Sequence, residues 1–161
     1  MGQDGGHRLM NHHYDTPEER YALDIVRLNE IGSSKKIGSD GLSGYAIYGQ
    51  AVYSPARGKV YKVVNHVKDQ PPSRQNRQFP PGNFVVIENE AYIILAHLKP
   101  GSIRVKTGDT VQVGDLIGLV GNSGMSSEPH LHIHAVDKTR KKSLPLMFDG
   151  DFLVRNELVV H

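Results

Sequence analysis

The sequence predicts an all-β fold, mostly antiparallel: a β-sandwich or open barrel with a groove across its surface and long loops. Three observations predict it. Short runs rich in β-branched and aromatic residues recur along the 161 residues, divided by turns rich in Gly, Pro and Asp. No segment carries the sustained 3.6-residue apolar period of a long amphipathic helix. Third, the run 130–136 alternates, with His130, His132 and His134 on one face of a strand and Leu131 and Ile133 on the other.

Taken in order, residues 1–10 form a polar lead with no apolar stretch of the kind a secretory signal needs. Either the protein is cytoplasmic or the chain is an excised part of a longer one, and the polar start just upstream of a chemically loaded segment favours the second. The domain proper is expected over 11–150, with 151–161 as its C-terminal extension. Thr16-Pro17-Glu18-Glu19 has the form of a helix start, with a capping threonine, a first-turn proline and a glutamate three residues on. Ile25 and Val26 pull the next run towards strand, so at most one turn is expected there, followed by a strand over 22–26. Further strands are expected over 59–64, 84–88, 92–97, 116–120 and 130–136. Residues 29–44, rich in Gly, Ser and Lys, and residues 65–82, with Pro71-Pro72 and Pro80-Pro81, are long loops. Loops of that length are usually functional or disordered, and both are expected to wall the groove. Residues 108–118 form a glycine-punctuated turn and strand that by itself signals no chemistry.

Composition excludes several classes. No apolar stretch approaches the ~20 residues of a membrane helix. A net charge of +2 gives no case for nucleic acid, although a mildly basic surface tolerates an anionic polymer such as a cell wall. With no cysteine, disulfides, thiolate sites and a thiol nucleophile are all removed. A transition-metal site must then be built from His, Asp and Glu, which favours hydrolytic over structural zinc. A monomer is the expected state.

The histidines that matter fall into three groups: His12 and His13 upstream of Asp24, His97 at the end of an apolar run, and the alternating set at 130, 132 and 134. A catalytic zinc keeps three protein ligands and one open position. One early histidine, Asp24 and one late histidine supply such a set, leaving the others as acid, base or oxyanion donors.

Residues 121–133, Gly-Asn-Ser-Gly-Met-Ser-Ser-Glu-Pro-His-Leu-His-Ile, closely resemble the H-x-H region of the LytM/lysostaphin-type zinc endopeptidases. Tyr21-Ala22-Leu23-Asp24, residues 48–60, residues 92–98 and residues 106–120 fall in that family's order, so the resemblance runs from about residue 11 to 136. It implies that Asp24 and His132 bind one Zn2+ ion, and that His97 and His130 are the catalytic histidines. The family's first histidine usually lies four residues before the aspartate. That position is Arg20 here, which cannot bind zinc. His13 takes its place, by similarity to family variants with a longer spacer, with His12 as the fallback. His134 stands where the family more often has an acid, at the cleft rim or orienting a ligand. The resemblance further implies a peptidoglycan peptide as substrate, in a cross-bridge or stem peptide, and an extracytoplasmic location as part of a longer secreted chain. The alternative is a catalytically inactive relative that regulates or binds the wall. A lipoyl- or biotinyl-type carrier would need a modified lysine in a tight turn and would leave the histidines unexplained.

Overall fold

The computed structural model describes residue 13, residues 15–148 and residues 150–153. Nine strands appear: β1 (Leu23–Ile25), β2 (Ala51–Tyr53), β3 (Gly58–Val64), β4 (Asn83–Glu88), β5 (Tyr92–Leu98), β6 (Thr110–Val111), β7 (Leu116–Leu119), β8 (Leu131–Val136) and β9 (Ser143–Leu144). Every strand expected from the sequence is present, with ends shifted by no more than one residue. The three additional strands have two or three residues each, too short to show a period.

The large sheet runs β1-β8-β5-β4-β3-β6, with β9 also on β8, and a small sheet pairs β2 with β7. Every named pairing is antiparallel. The core lies between the sheets. Val60, Val85, Ile87, Leu95 and Ile133 from the large sheet meet Val52 and Ile117 from the small one. Each such side chain contributes roughly 1.5–3 kcal/mol by leaving water. Alternation then sends the neighbours of these residues to the opposite face of the large sheet, where Asp24, Val86, Ile94, Ala96, His132 and His134 line a groove.

Two irregularities interrupt that alternation. On β5, Val85 pairs with Leu95 but Asn83 pairs with Leu98, so β5 carries one extra residue near Ala96 and His97. On β3, Val60 pairs with Ile87 and Lys62 with Val86, which leaves Tyr61 as the extra residue. A bulge of this kind re-aims a side chain.

Thr16 to Ala22 is a succession of turns, not a helix. Thr16 N–H donates to His13 O (2.9 Å), Glu19 N–H to Thr16 O (2.9 Å) and Ala22 N–H to Glu19 O (2.8 Å). The 65–82 loop does wall the groove, through Gln75, Pro80 and Pro81. The 29–44 loop does not: no residue of it lines the groove. It closes on itself through Lys36 N–H to Gly44 O (2.9 Å) and Ala46 N–H to Ser34 O (3.0 Å), and touches the groove only through its lining residue Glu128, whose Oε2 lies 3.5 Å from Ser34 Oγ. The second wall comes instead from Thr16 and Glu19. Glycine, serine and lysine leave a loop enough local hydrogen bonding to fold away from a cleft.

Candidate active site

Asp24 sits in β1 directly opposite His132 in β8. Both are buried. The Asp24 carboxylate lies between two imidazoles, with Oδ1 3.0 Å from His132 Nδ1 and Oδ2 3.2 Å from His13 Nε2. Burial alone would raise the Asp24 pKa, but the hydrogen bonds from His13 and His132 outweigh it and hold the carboxyl far below the usual carboxylate range. His13 is pulled down by burial and pushed up by hydrogen bonds to Asp24 and Glu19; the net effect raises it to about 9.

His13, Asp24 and His132 offer one ligand atom each within 4.8 Å of one another. Zinc bonds of ~2.0–2.1 Å in a tetrahedral site place adjacent ligand atoms roughly 3.3 Å apart. The 3.0 and 3.2 Å separations are of that size, and two imidazoles with one buried carboxylate suit a cation of the zinc class. His132 also belongs to two other possible groups, with His97 and His130 and with Glu19 and His134. His12 lies outside the described residues.

His97 reaches the groove only through the β5 bulge. Regular alternation would have sent it, like Leu95, to the core. Its backbone takes φ 60°, the left-handed region that non-glycine residues resist. Such a conformation costs about 1–3 kcal/mol and persists only when its surroundings over-determine it. Here they do: His97 N–H donates to Pro81 O (3.1 Å), His97 O accepts from Gly121 N–H (3.0 Å), and Nδ1 lies 2.8 Å from Ser123 O. Burial, then the nearby His130 and His132, lowers its pKa to about 3. The His130 ring is 4.7 Å from that of His97, centre to centre. Its Nδ1 lies 2.8 Å from Glu128 O and its Nε2 3.5 Å from Asp24 Oδ1. Burial lowers the His130 pKa too. In both rings a carbonyl fixes the N–H at Nδ1, so the lone pair is left at Nε2.

The segment that carries those two carbonyls is itself locked. Gly124 (φ 82°) packs so tightly on Gly82 that a Cβ would sit 2.4 Å from Gly82 N. The buried Asn83 amide bonds Val67 on both its N–H (2.8 Å) and O (2.7 Å), and Leu98 O (2.9 Å), while its own N–H donates to Ser123 Oγ (2.8 Å).

Glu19 gains a part that the sequence did not assign it, and His134 takes the position expected of it. Glu19, a capping glutamate on sequence grounds, places Oε2 3.2 Å from His13 Nδ1. That hydrogen bond, despite the opposing effect of burial, lowers the Glu19 pKa to about 2. The signal was available only as proximity in the chain to His13. His134 lines the groove beside the site, with its Nδ1 2.9 Å from His132 Nε2. Burial, then His132, lowers its pKa to about 4. His66 is exposed and does not line the groove.

The model of peptidase family M23 matches residues 38–144, well over half of the chain. The chain belongs to peptidase family M23. The match takes in His97, His130 and His132, while His13, Glu19 and Asp24 lie before it. Among curated relatives, Endolysin 2638A of Staphylococcus phage 2638A is 43% identical over 65 residues, 38% of this chain and 13% of that protein. Peptidoglycan DD-endopeptidase ShyB of Vibrio cholerae is 32% identical over 103 residues, 61% of this chain and 21% of that protein. The chain thus spans about a fifth or less of the length of these relatives. A solved zinc containing peptidase from Vibrio cholerae is 25% identical, with a TM-score of 0.47, covering 74% of this chain and 37% of that one. No helix among the described residues is long and apolar enough to cross a membrane.

Proposed function

We propose that this chain is a zinc endopeptidase that hydrolyses peptide bonds of bacterial peptidoglycan, in cross-bridges or stem peptides, and so acts outside the cytoplasm. The observation that carries the reading is the Asp24 carboxylate gripped by His13 Nε2 and His132 Nδ1, with His97 and His130 beside it. His13, Asp24 and His132 would hold one Zn2+ ion. An ion held there would supply Lewis-acid polarisation of the scissile carbonyl and a more acidic bound water. Membership of family M23 and relatives named for endolysis and DD-endopeptidase activity support the substrate class.

His97 and His130 do the proton work. His97 is buried and His130 partly so, and both are held neutral, with Nδ1–H engaged and Nε2 free to accept. One Nε2 accepts the first proton of the attacking water and gives it to the leaving amine. The other accepts that water's second proton as the tetrahedral intermediate collapses and passes it to the same amine, so that a carboxylate and an ammonium group leave. Glu19 holds His13 by Nδ1, so Nε2 faces Asp24; His134 holds His132 Nε2, so Nδ1 does the same.

The test is zinc content together with release of soluble peptides from purified peptidoglycan. The expected result is about one zinc per chain and turnover that His130→Ala abolishes while zinc stays bound. A zinc-loaded protein inert on peptidoglycan of every cross-link type would overturn the catalytic reading in favour of a wall-binding or regulatory module. A zinc content unchanged by Asp24→Ala would overturn the ligand assignment.

A further inference from the structure

Beyond His134 the groove does not end. Phe84, Val86, Ile94 and His134 line both the main cleft and a second cavity of about 250 Å³. The far end of that cavity is built by Tyr61, Tyr92, Lys62 and Arg140, with Glu18 also on its lining. Two backbone irregularities converge there. Tyr61 is the bulged residue of β3, and the bulge turns it to the groove face alongside Lys62. Arg140 has φ 58°, again in the left-handed region. The turn that bears it is tied to Asp137, whose carboxylate accepts from the Thr139 hydroxyl (2.8 Å) and the Lys141 N–H (3.0 Å). The guanidinium lies 4.8 Å from the centres of both the Tyr61 and the Tyr92 rings. Those rings are themselves 4.9 Å apart. Lys62 Nζ sits 5.5 Å from the Phe84 ring centre.

The ring faces therefore already carry cations, and a sugar or an aromatic side chain would have to displace them. What the cavity has to offer is charge and N–H donors. Among the described residues no carboxylate lies within ion-pair distance of Arg140 or Lys62. Lys138, also 4.8 Å from the Tyr92 ring centre, is paired with Glu88 at 2.8 Å and adds no net charge. Two cations against the single exposed Glu18 leave the cavity positive. A planar guanidinium held on aromatic rings matches a carboxylate bidentately.

The position is informative. Tyr92 pairs with Val136, and Ala96 with His132. Four residues of strand, ~13 Å, thus separate the Arg140 end from the metal-side histidine. An extended peptide covers that in three to four residues. We propose that the Arg140–Tyr61–Tyr92 cavity is a substrate subsite that binds a carboxylate of the peptide, three to four residues from the bond that is cut. The inference rests on the endopeptidase reading of the neighbouring groove.

The test uses zinc-loaded protein and peptides that differ in one group: a C-terminal carboxylate against its carboxamide, and an internal Glu against Gln. Cleavage is followed as kcat/KM, and binding separately by NMR shifts of the tyrosine rings. Wild type is expected to favour the carboxylate in one of the two pairs by tenfold or more, and the responding pair tells a terminal from a side-chain group. Arg140→Gln, on an exposed turn, should bring that ratio to near one, and Arg140→Lys should restore part of it. A wild-type ratio near one in both pairs, or a preference that survives Arg140→Gln, overturns the subsite. Selective binding of the carboxylate peptide without cleavage keeps the subsite and removes the peptidase reading. Cleavage without carboxylate preference does the reverse.

Discussion

Glu19 shows how much of the site depends on single atoms. Its carboxylate meets His13 at Nδ1 and leaves Nε2 for Asp24. Glu19→Gln keeps the shape but can no longer anchor a charged or strongly donating imidazole. Zinc affinity, read by competition with a chromogenic chelator, should fall roughly 10–100-fold; an unchanged affinity would mean that Glu19 only lines the wall. His13 makes a second prediction at this scale. Between Asp24 and Glu19 it keeps its proton up to about pH 9. A cation entering between His13 and Asp24 must expel that proton. Calorimetric titration with zinc at pH 7, in buffers of different ionisation enthalpy, should report release of about one proton per ion, and none in Glu19→Gln/His13→Ala. Lowering the pH should weaken binding, because the proton then competes better.

At the scale of elements, the β5 bulge decides where His97 points. Asn tolerates left-handed backbone better than Ala, because its short polar side chain bonds locally. His97→Asn should therefore be more stable than His97→Ala by about 1 kcal/mol in urea unfolding, although both lose turnover. Equal stabilities would show that the bulge relaxes when the imidazole is gone. The bulge also marks the limit of what the sequence discloses. Alternation put His130, His132 and His134 on one face correctly, because β8 is regular and its apolar residues face the core. The same rule applied to 92–98 would bury His97 with Leu95, and only the family resemblance placed it in the cleft. Glu19 was missed for a related reason: no local pattern records that its carboxylate meets His13. The 29–44 loop failed as a wall because length and composition do not say which way a loop folds. The Gly82–Gly124 contact and the Asn83 amide belong to this scale as well. Asn83→Ala would orphan the Val67 N–H and O at once, while the Leu98 O keeps the Ser123 hydroxyl. A loss of about 2–4 kcal/mol is expected from that, at ~1–3 kcal/mol per unsatisfied buried group with partial relaxation.

For the whole molecule, the buried titrating groups set a stability profile with two limbs. His97, His134 and His130 have folded pKa values lowered, the first two to about 3 and about 4, against an ordinary value near 6.5. Below pH 6.5 the unfolded chain binds protons that the folded chain refuses, so stability falls as the pH drops from 6.5 towards 4. His13 runs the other way. Its folded value is raised to about 9, so its contribution is complete below pH 6.5 and is lost between 6.5 and 9. Asp24 and Glu19, both lowered, stabilise above pH 4 and lose that contribution only in stronger acid. With metal removed by chelator, the melting temperature should therefore peak near pH 6.5–7 and decline on both sides. Zinc held by His13, Asp24 and His132 would remove the alkaline limb. Its binding would displace the His13 proton and tie the segment before β1 to β1 and β8, adding RT ln(1 + [Zn]/Kd), about 4 kcal/mol at a thousandfold excess over Kd. The expected result is a zinc-loaded protein whose melting temperature holds or rises from pH 7 to 9 while that of the chelated protein falls. Parallel curves with and without zinc would mean that the ion does not engage His13, and the first ligand would have to be sought elsewhere.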